Sequence, residues 1–247
     1  MKQYLRIECP FCQSDHLVKN GHSENGTQRY RCNTCRKSFQ WEYRYRAWLP
    51  DVKAQIVKQT LNSSGIRDIS RNLGIAKQTV IAELKKKVPA ECNFAYADAL
   101  KQRMSLGIDV AICTEADEFW SFVGDKSNPR WTWYAIERQT GIVLAHQNGK
   151  RTDAVCQQLV KKLQVFPIRS YSTDQWPSYA KYLPAAQHHV GKDQTWKIER
   201  TNLNFRTHLK RLHRKTICFS KDETLHDTVI GLYIEHHYYK KFSYSKT

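Results

Sequence analysis

No apolar run in this 247-residue chain approaches the roughly 18–20 residues a membrane span needs, so a membrane protein is not expected. Its first residues, Met1-Lys2-Gln3-Tyr4-Leu5-Arg6, lack the long apolar stretch of a secretory signal. The eight cysteines lack a disulfide pattern: four form two CxxC pairs, while Cys92, Cys113, Cys156 and Cys218 are scattered singly. That usage suits a reducing, cytoplasmic compartment. Serine, histidine and cysteine are all present, but in no arrangement that suggests a covalent nucleophile. Acids are the scarcest charge: 23 Asp and Glu stand against 40 Lys and Arg, for a net charge of +17 and a pI near 9.6. Such a surplus predicts a polyanionic partner, because each base placed on a phosphate releases a counterion. The excess is +10 over residues 1–105 and +7 over residues 106–247, so both halves could touch nucleic acid.

Cys9-Pro10-Phe11-Cys12 and Cys32-Asn33-Thr34-Cys35 form two C-x2-C knuckles nineteen residues apart. Four thiolates so spaced predict tetrahedral zinc, with His16 and His22 outside the shell. A segment this small has little core, so the metal would supply much of its folding free energy. Gln28-Arg29-Tyr30-Arg31 alternates like a strand. Arg29 and Arg31, with Arg36 and Lys37 beside Tyr30 and Phe39, favour a nucleic-acid face over a purely bracing role. The expected zinc ribbon spans residues 1–46.

Residues 47–88 carry three helical patterns broken at Gly65 and Gly74, with Ile69, Leu73, Ile75, Val80 and Leu84 as their core. This is the pattern of a helix-turn-helix. Lys77, Gln78 and Thr79 would open the recognition helix that enters the major groove, with Lys85 and Lys86 in its basic tail. Residues 89–106 read as a linker.

From residue 107 on, the pattern changes to α/β. Residues 111–124 alternate as a strand, with Asp117 on the face of Phe119 and Ser121. Two more strand runs follow (131–136 and 142–146), then a helix over 153–163. Next come a strand over 168–173 ending on Asp174, a short helix near Tyr179, a strand near His188 and a long helix carrying Glu199. Three meandering strands followed by alternating helices and strands is the order of a ribonuclease-H-like mixed-sheet core. A strand carboxylate, a strand-end carboxylate and a helix carboxylate can together hold two divalent ions about 3.5–4 Å apart, the clamp for in-line displacement at a phosphodiester. Asp174 and Glu199 supply the last two. Asp117 is the choice for the first and Glu115, on the same strand face, its rival. Asn202 and Arg206 lie three and seven residues after Glu199, on the same helical face. Trp120, Trp131 and Trp133 read as packing residues.

The stretches Glu115–Gly124, Thr173–Tyr179 and Ile198–Arg206, with Phe219-Ser220-Lys221 and Leu225-His226-Asp227, resemble the catalytic domain of insertion-sequence-one-type transposases of the DDE class. The zinc ribbon and helix-turn-helix resemble that family's DNA-binding region. The resemblance implies a metal-binding triad of Asp117, Asp174 and Glu199 with Mg²⁺ (or Mn²⁺), and Asn202 and Arg206 acting on phosphate or the metal shell. It implies cleavage at terminal inverted repeats and transfer of 3′-hydroxyl ends into target DNA, in the cytoplasm of a prokaryote at the nucleoid. Lys192, Lys197 and Arg200 are expected to handle DNA near the site. Two ends must be held together, so a homodimer or larger homo-oligomer is expected. Two other readings stay open: a zinc-ribbon regulator without catalysis, and a structure-specific nuclease or resolvase that cuts without joining.

Overall fold

The structure is a computed structural model and describes residues 7–41, 47–191 and 195–239. The chain forms two compact units, Met1–Leu49 and Pro50–Thr247. The first unit is a three-stranded antiparallel sheet of β1 (Leu17–His22), β2 (Gln28–Cys32) and β3 (Ser38–Gln40), in that order. Its core is minimal: Cys9, Cys32 and Phe39 are buried, and Leu17 and Tyr30 pack against them. Gly26, at φ +75°, makes the turn between β1 and β2.

The second unit opens with α1 (Pro50–Leu61), α2 (Ile66–Leu73) and α3 (Lys77–Lys85). Gly74 ends α2 in the left-handed conformation that lets α3 turn back. Val52, Ile56, Ile69, Ile75, Val80 and Leu84 are buried between the three helices and what lies beneath them. That support is α8 (Glu223–Ile234), which contacts both α1 and α3. Lys85 Nζ meets Asp222 Oδ2 at 2.7 Å, just before α8. The helix-turn-helix therefore shares one compact unit with the rest of the chain from Pro50 on.

The expected linker over 89–106 is corrected by α4 (Phe94–Ser105). Asn93 caps it, accepting from the Tyr96 amide at 3.2 Å. The Asn93 backbone amide bonds the Leu144 carbonyl at 2.8 Å. Tyr96, Ala97 and Leu100 then enter the main core. Their helical spacing had an apolar face, but only the groove beside the sheet makes that face worth ordering.

The second sheet has β4 (Ile112–Val123), β5 (Asp125–Glu137), β6 (Val143–Gly149), β7 (Ile168–Thr173) and β8 (His188–Val190), ordered β6-β5-β4-β7-β8. The first three strands are antiparallel, whereas β7 pairs parallel with β4 and β8 parallel with β7. This mixed sheet has the ribonuclease-H-like order expected from the strand pattern. On one face, α4, α5 (Asp153–Leu163) and α6 (Pro177–Tyr182) cover Ala116 and Trp133. On the other lie α7 (Trp196–His208) and α8, joined to the sheet by an aromatic cluster. Phe205 of α7 lies 5.2 Å from Phe119, 5.3 Å from Tyr134 and 5.7 Å from Tyr233, centroid to centroid. Edge-on and tilted rings at these separations add attraction beyond area burial. They hold α7 against the centre of the sheet.

Candidate active site and zinc site

The four sulfurs of Cys9, Cys12, Cys32 and Cys35 all lie within 4.8 Å of one another. Cys9–Cys35 and Cys12–Cys32 are each 3.6 Å apart. Sulfurs about 2.3 Å from a central zinc would form tetrahedron edges of about 3.8 Å, so the set fits the ion. The Cys35 amide, 3.5 Å from Cys32 Sγ, is the main cause holding the Cys32 thiol down at about 6, toward the thiolate that ligates metal. His16 and His22 are exposed and outside the cluster. Arg29 and Arg31 are exposed on β2. Tyr30 and Phe39 do not join them: Phe39 is buried and Tyr30 stacks on it at 6.0 Å, so these rings brace the ribbon.

In the second unit, strand register brings two carboxylates together. Ala116↔Thr173 is the last pair between β4 and β7. Asp117 and Asp174 each follow it, on neighbouring strands about 4.8 Å apart. Asp117 is half-buried, and burial is the main cause raising its carboxyl to about 6. The negative charges of Asp174 and Glu199 raise it further. Two donors oppose the rise: the Glu118 amide at 2.8 Å and Asn202 Nδ2 at 2.6 Å. Asp174 accepts from the Trp176 amide at 3.0 Å. Glu199 is exposed on the first turn of α7. Oxygen donors that repel one another, in part out of water, suit a hard divalent cation.

Asn202 is oriented as well as orienting. Tyr134 pairs with Asp117 across the β4–β5 ladder. Its buried hydroxyl lies 2.9 Å from Asn202 Oδ1 and 3.0 Å from the Ile198 carbonyl, donating to one at a time. Glu199, Asn202, Leu203, Arg206, His213 and Arg214 line an open cleft of about 660 Å³ beside the acids.

Glu115 is engaged elsewhere. It is fully buried, bonds Arg138 Nε at 3.2 Å and accepts the Ile198 amide at 2.9 Å. A carboxylate on an amide of the first turn stabilises a helix N-terminus, so Glu115 anchors the helix that presents Glu199. Glu118, on the opposite face, binds Arg151 Nη2 at 2.6 Å and the Tyr179 hydroxyl at 2.9 Å. Burial raises its carboxyl to about 7, against the pull of Arg151. The Arg151 guanidinium stacks 3.6 Å from the Trp176 ring centroid and 4.7 Å from that of Trp131. Nothing in the local sequence around Arg151 or Tyr134 marked them, because both act through partners sixteen or more residues away. Trp133 is buried as expected, whereas Trp120 is 40% exposed and is not a packing residue alone.

The expected DNA-binding residues divide. Lys77 and Gln78 are exposed at the start of α3, with Thr79 half-buried beside them. Lys85 is paired with Asp222, and Lys86 with Glu83 at 2.7 Å, so both are partly neutralised within the chain. Lys197 donates to the Gln139 carbonyl and lies 5.5 Å over the Trp196 ring. Arg200 is exposed, and Lys192 lies outside the described residues. No helix among the described residues is long and apolar enough to cross a membrane.

With this geometry in hand, comparison with known proteins is informative. The profile of the IS1 transposase family matches residues 110–240, and that of the InsA N-terminal domain, a zinc ribbon, matches residues 5–36. The chain is 48% identical over 128 residues to insertion element iso-IS1n protein InsB of Shigella dysenteriae, covering 52% of this chain and 98% of that protein. It is 43% identical over 142 residues to insertion element IS1 4 protein InsB of Escherichia coli (strain K12), covering 58% of this chain and 85% of that one. Among solved structures, a chain of the simian T-cell lymphotropic virus intasome in complex with PP2A regulatory subunit B56 gamma matches at 14% identity and TM-score 0.38. That match covers 74% of this chain and 68% of that one, and is too loose to bear on the fold.

Proposed function

We propose, for a chain that belongs to the IS1 transposase family, that the acids at the β4–β7 edge and on α7 cut the ends of a DNA element and join them to target DNA. The observation that carries this reading is the placement of Asp117 and Asp174 one residue past the last β4–β7 pair, with Asn202, three residues after Glu199 on α7, bonded to Asp117 at 2.6 Å. Asp117, Asp174 and Glu199 would hold two Mg²⁺ or Mn²⁺ ions. Those ions, when bound, supply Lewis-acid activation of a water or 3′-hydroxyl and offset charge on the leaving oxygen. Asn202 keeps the Asp117 carboxylate turned toward the cleft through its 2.6 Å bond. Tyr134 in turn fixes the Asn202 amide, so the donor points one way. Arg206, on the cleft wall, offsets charge on the phosphate under attack.

Aiming falls to the N-terminal half. Lys77, Gln78 and Thr79 at the start of α3 would read base edges of the terminal inverted repeats, and Arg29 and Arg31 of the ribbon would bind backbone. Lys197 and Arg200 would contact DNA near the acids. Lys85 and Lys86 would add less, because each already has an acid partner. The ribbon, helix-turn-helix and catalytic core are proposed as functional segments at 1–46, 47–88 and 107–247, in a homodimer or larger assembly that holds two ends at the nucleoid.

The test combines the full chain, Mg²⁺, inverted-repeat DNA and a target plasmid. Joined products are expected, and Asp174→Ala should abolish them while end binding persists. Cleavage without joining would assign a nuclease instead, and equal activity in Asp174→Ala would sink the proposal.

A further inference from the structure

Beyond Ala116, β4 does not pair with β7, and among the described residues no strand pairs with that edge from Asp117 to Phe122. A bridge between Val123 and Ser220 brings the segment after α7 back beside the far end of that edge. Between the two lies a cleft of about 360 Å³, within the roughly 300–1,000 Å³ of small-ligand sites. It shares Arg206, His213 and Arg214 with the cleft at Glu199, so the two form one trough leading away from the acids.

The floor of this second cleft is aromatic. Trp120 lies 5.5 Å from Phe122, which lies 5.4 Å from Phe219, centroid to centroid. The far end of this ladder packs, but Trp120 leaves 40% of its surface in solvent. The walls are cationic: Lys126, Arg206, Arg211, Arg214 and Lys215 line the cleft, with no acid among its lining residues. None of the five has an ion-pair partner among the described residues, whereas Arg130 nearby binds Glu223 and Asp227. Arg211 donates to the neutral Ser220 hydroxyl at 3.0 Å, and desolvation lowers its guanidinium to about 10. A desolvated arginine served only by a hydroxyl lacks the bidentate anion its fork is built for. An exposed indole on a cationic wall is the pairing that binds single strands, one π-face for the base and arginine for the phosphate.

We propose that this cleft is a subsite for one unstacked nucleotide of the DNA strand running to the acids, with its base on Trp120 and a phosphate on Arg211 and Arg214. The inference rests on the DNA-cutting reading only for the identity of that strand. Unstacking a nucleotide next to the scissile bond would expose that bond to the metal-bound acids. It would also favour ends whose terminal pair opens readily.

The test is binding rather than catalysis. Fluorescence anisotropy of the full chain, with no divalent ion added, would compare a short oligothymidylate with an abasic strand of equal length. Trp120→Ala should weaken oligothymidylate binding about tenfold and leave the abasic strand unchanged, the mark of lost stacking. Trp120→Leu, which keeps an apolar cover over Phe122, should show the same selective loss should the alanine variant fold poorly. Arg211→Ala should weaken both probes. Unchanged oligothymidylate binding in the Trp120 variants, or an equal loss for the abasic strand, would overturn the proposal. Because the readout is binding without divalent ion, the subsite can stand even where strand joining is not observed.

Discussion

Asp117 and Glu115 sit two residues apart on one strand face, and the structure predicts that neutralising them changes stability in opposite directions. Asp117 has its carboxyl raised from 3.8 to about 6, chiefly by burial and then by two neighbouring acids. Its folded value lies above its unfolded one. Between about pH 4 and pH 6 the folded chain therefore keeps a proton that the unfolded chain has lost, and stability falls as pH rises through that window. Above it the full cost is present, about 3 kcal/mol for such a shift. Asp117→Asn removes the charge. It also surrenders one of two accepted bonds, from the Glu118 amide or from Asn202, at about 1 kcal/mol. The expected net is a gain of about 2 kcal/mol at pH 7.5 with no divalent ion added. Glu115→Gln does the reverse. It removes the charge facing Arg138 and leaves one oxygen where two accepted, for a loss of about 2 kcal/mol. Urea unfolding followed by tryptophan fluorescence would measure both, since Trp120, Trp131, Trp133, Trp176 and Trp196 report the unit from Pro50 on. Wild type should also gain on Asp117→Asn as pH falls from 7 to 5, and Glu118, whose carboxyl is raised in part by the Asp117 charge, adds to that difference in the same direction. A destabilised Asp117→Asn, or a stabilised Glu115→Gln, would refute the assignment of the strand acid.

Three further outcomes are expected. The purified chain should carry about one zinc by atomic absorption, and Cys32→Ser should lose it and unfold the ribbon while the second unit's transition stays in place. Gly231→Ala should lower stability by about 1–3 kcal/mol in the same urea assay, because a Cβ there would collide with the Pro89 ring and lie 3.3 Å from His146 Nε2. In salt titrations of duplex binding, Lys77→Ala should weaken affinity more than Lys85→Ala, since Lys77 is exposed and Lys85 is held by Asp222.

Much of this molecule was legible before folding. The two CxxC knuckles are legible as a ribbon because each CxxC spacing lets two sulfurs converge on one ion. The strand ending at Thr173 and the helix over 153–163 followed from local periodicity. Asn202 and Arg206 could be placed on the face of Glu199 from spacing alone. Where the reading failed, the deciding partner was remote. The stretch 89–106 reads as a linker in sequence because its apolar face has meaning only in the core it joins, where the Tyr96 ring lies 6.4 Å from that of Phe166. Beside their arginines the Tyr30 and Phe39 rings read as a binding face, but Phe39 is buried and Tyr30 is half-buried against it.

The sequence by itself determined the chemistry on offer: four sulfurs for zinc, three acids for hard cations, and a surplus of bases for a polyanion. Those are properties of residue type, and only the zinc site is also fixed by short-range spacing. Only the tertiary structure separates Glu115 from Asp117: the first meets Arg138 and the start of α7, and the second meets Asn202. It likewise turned Trp120 from a packing residue into the floor of a basic cleft. Both outcomes depend on contacts between residues far apart in the chain, which only the packing of α7 and the segment after it against β4 creates.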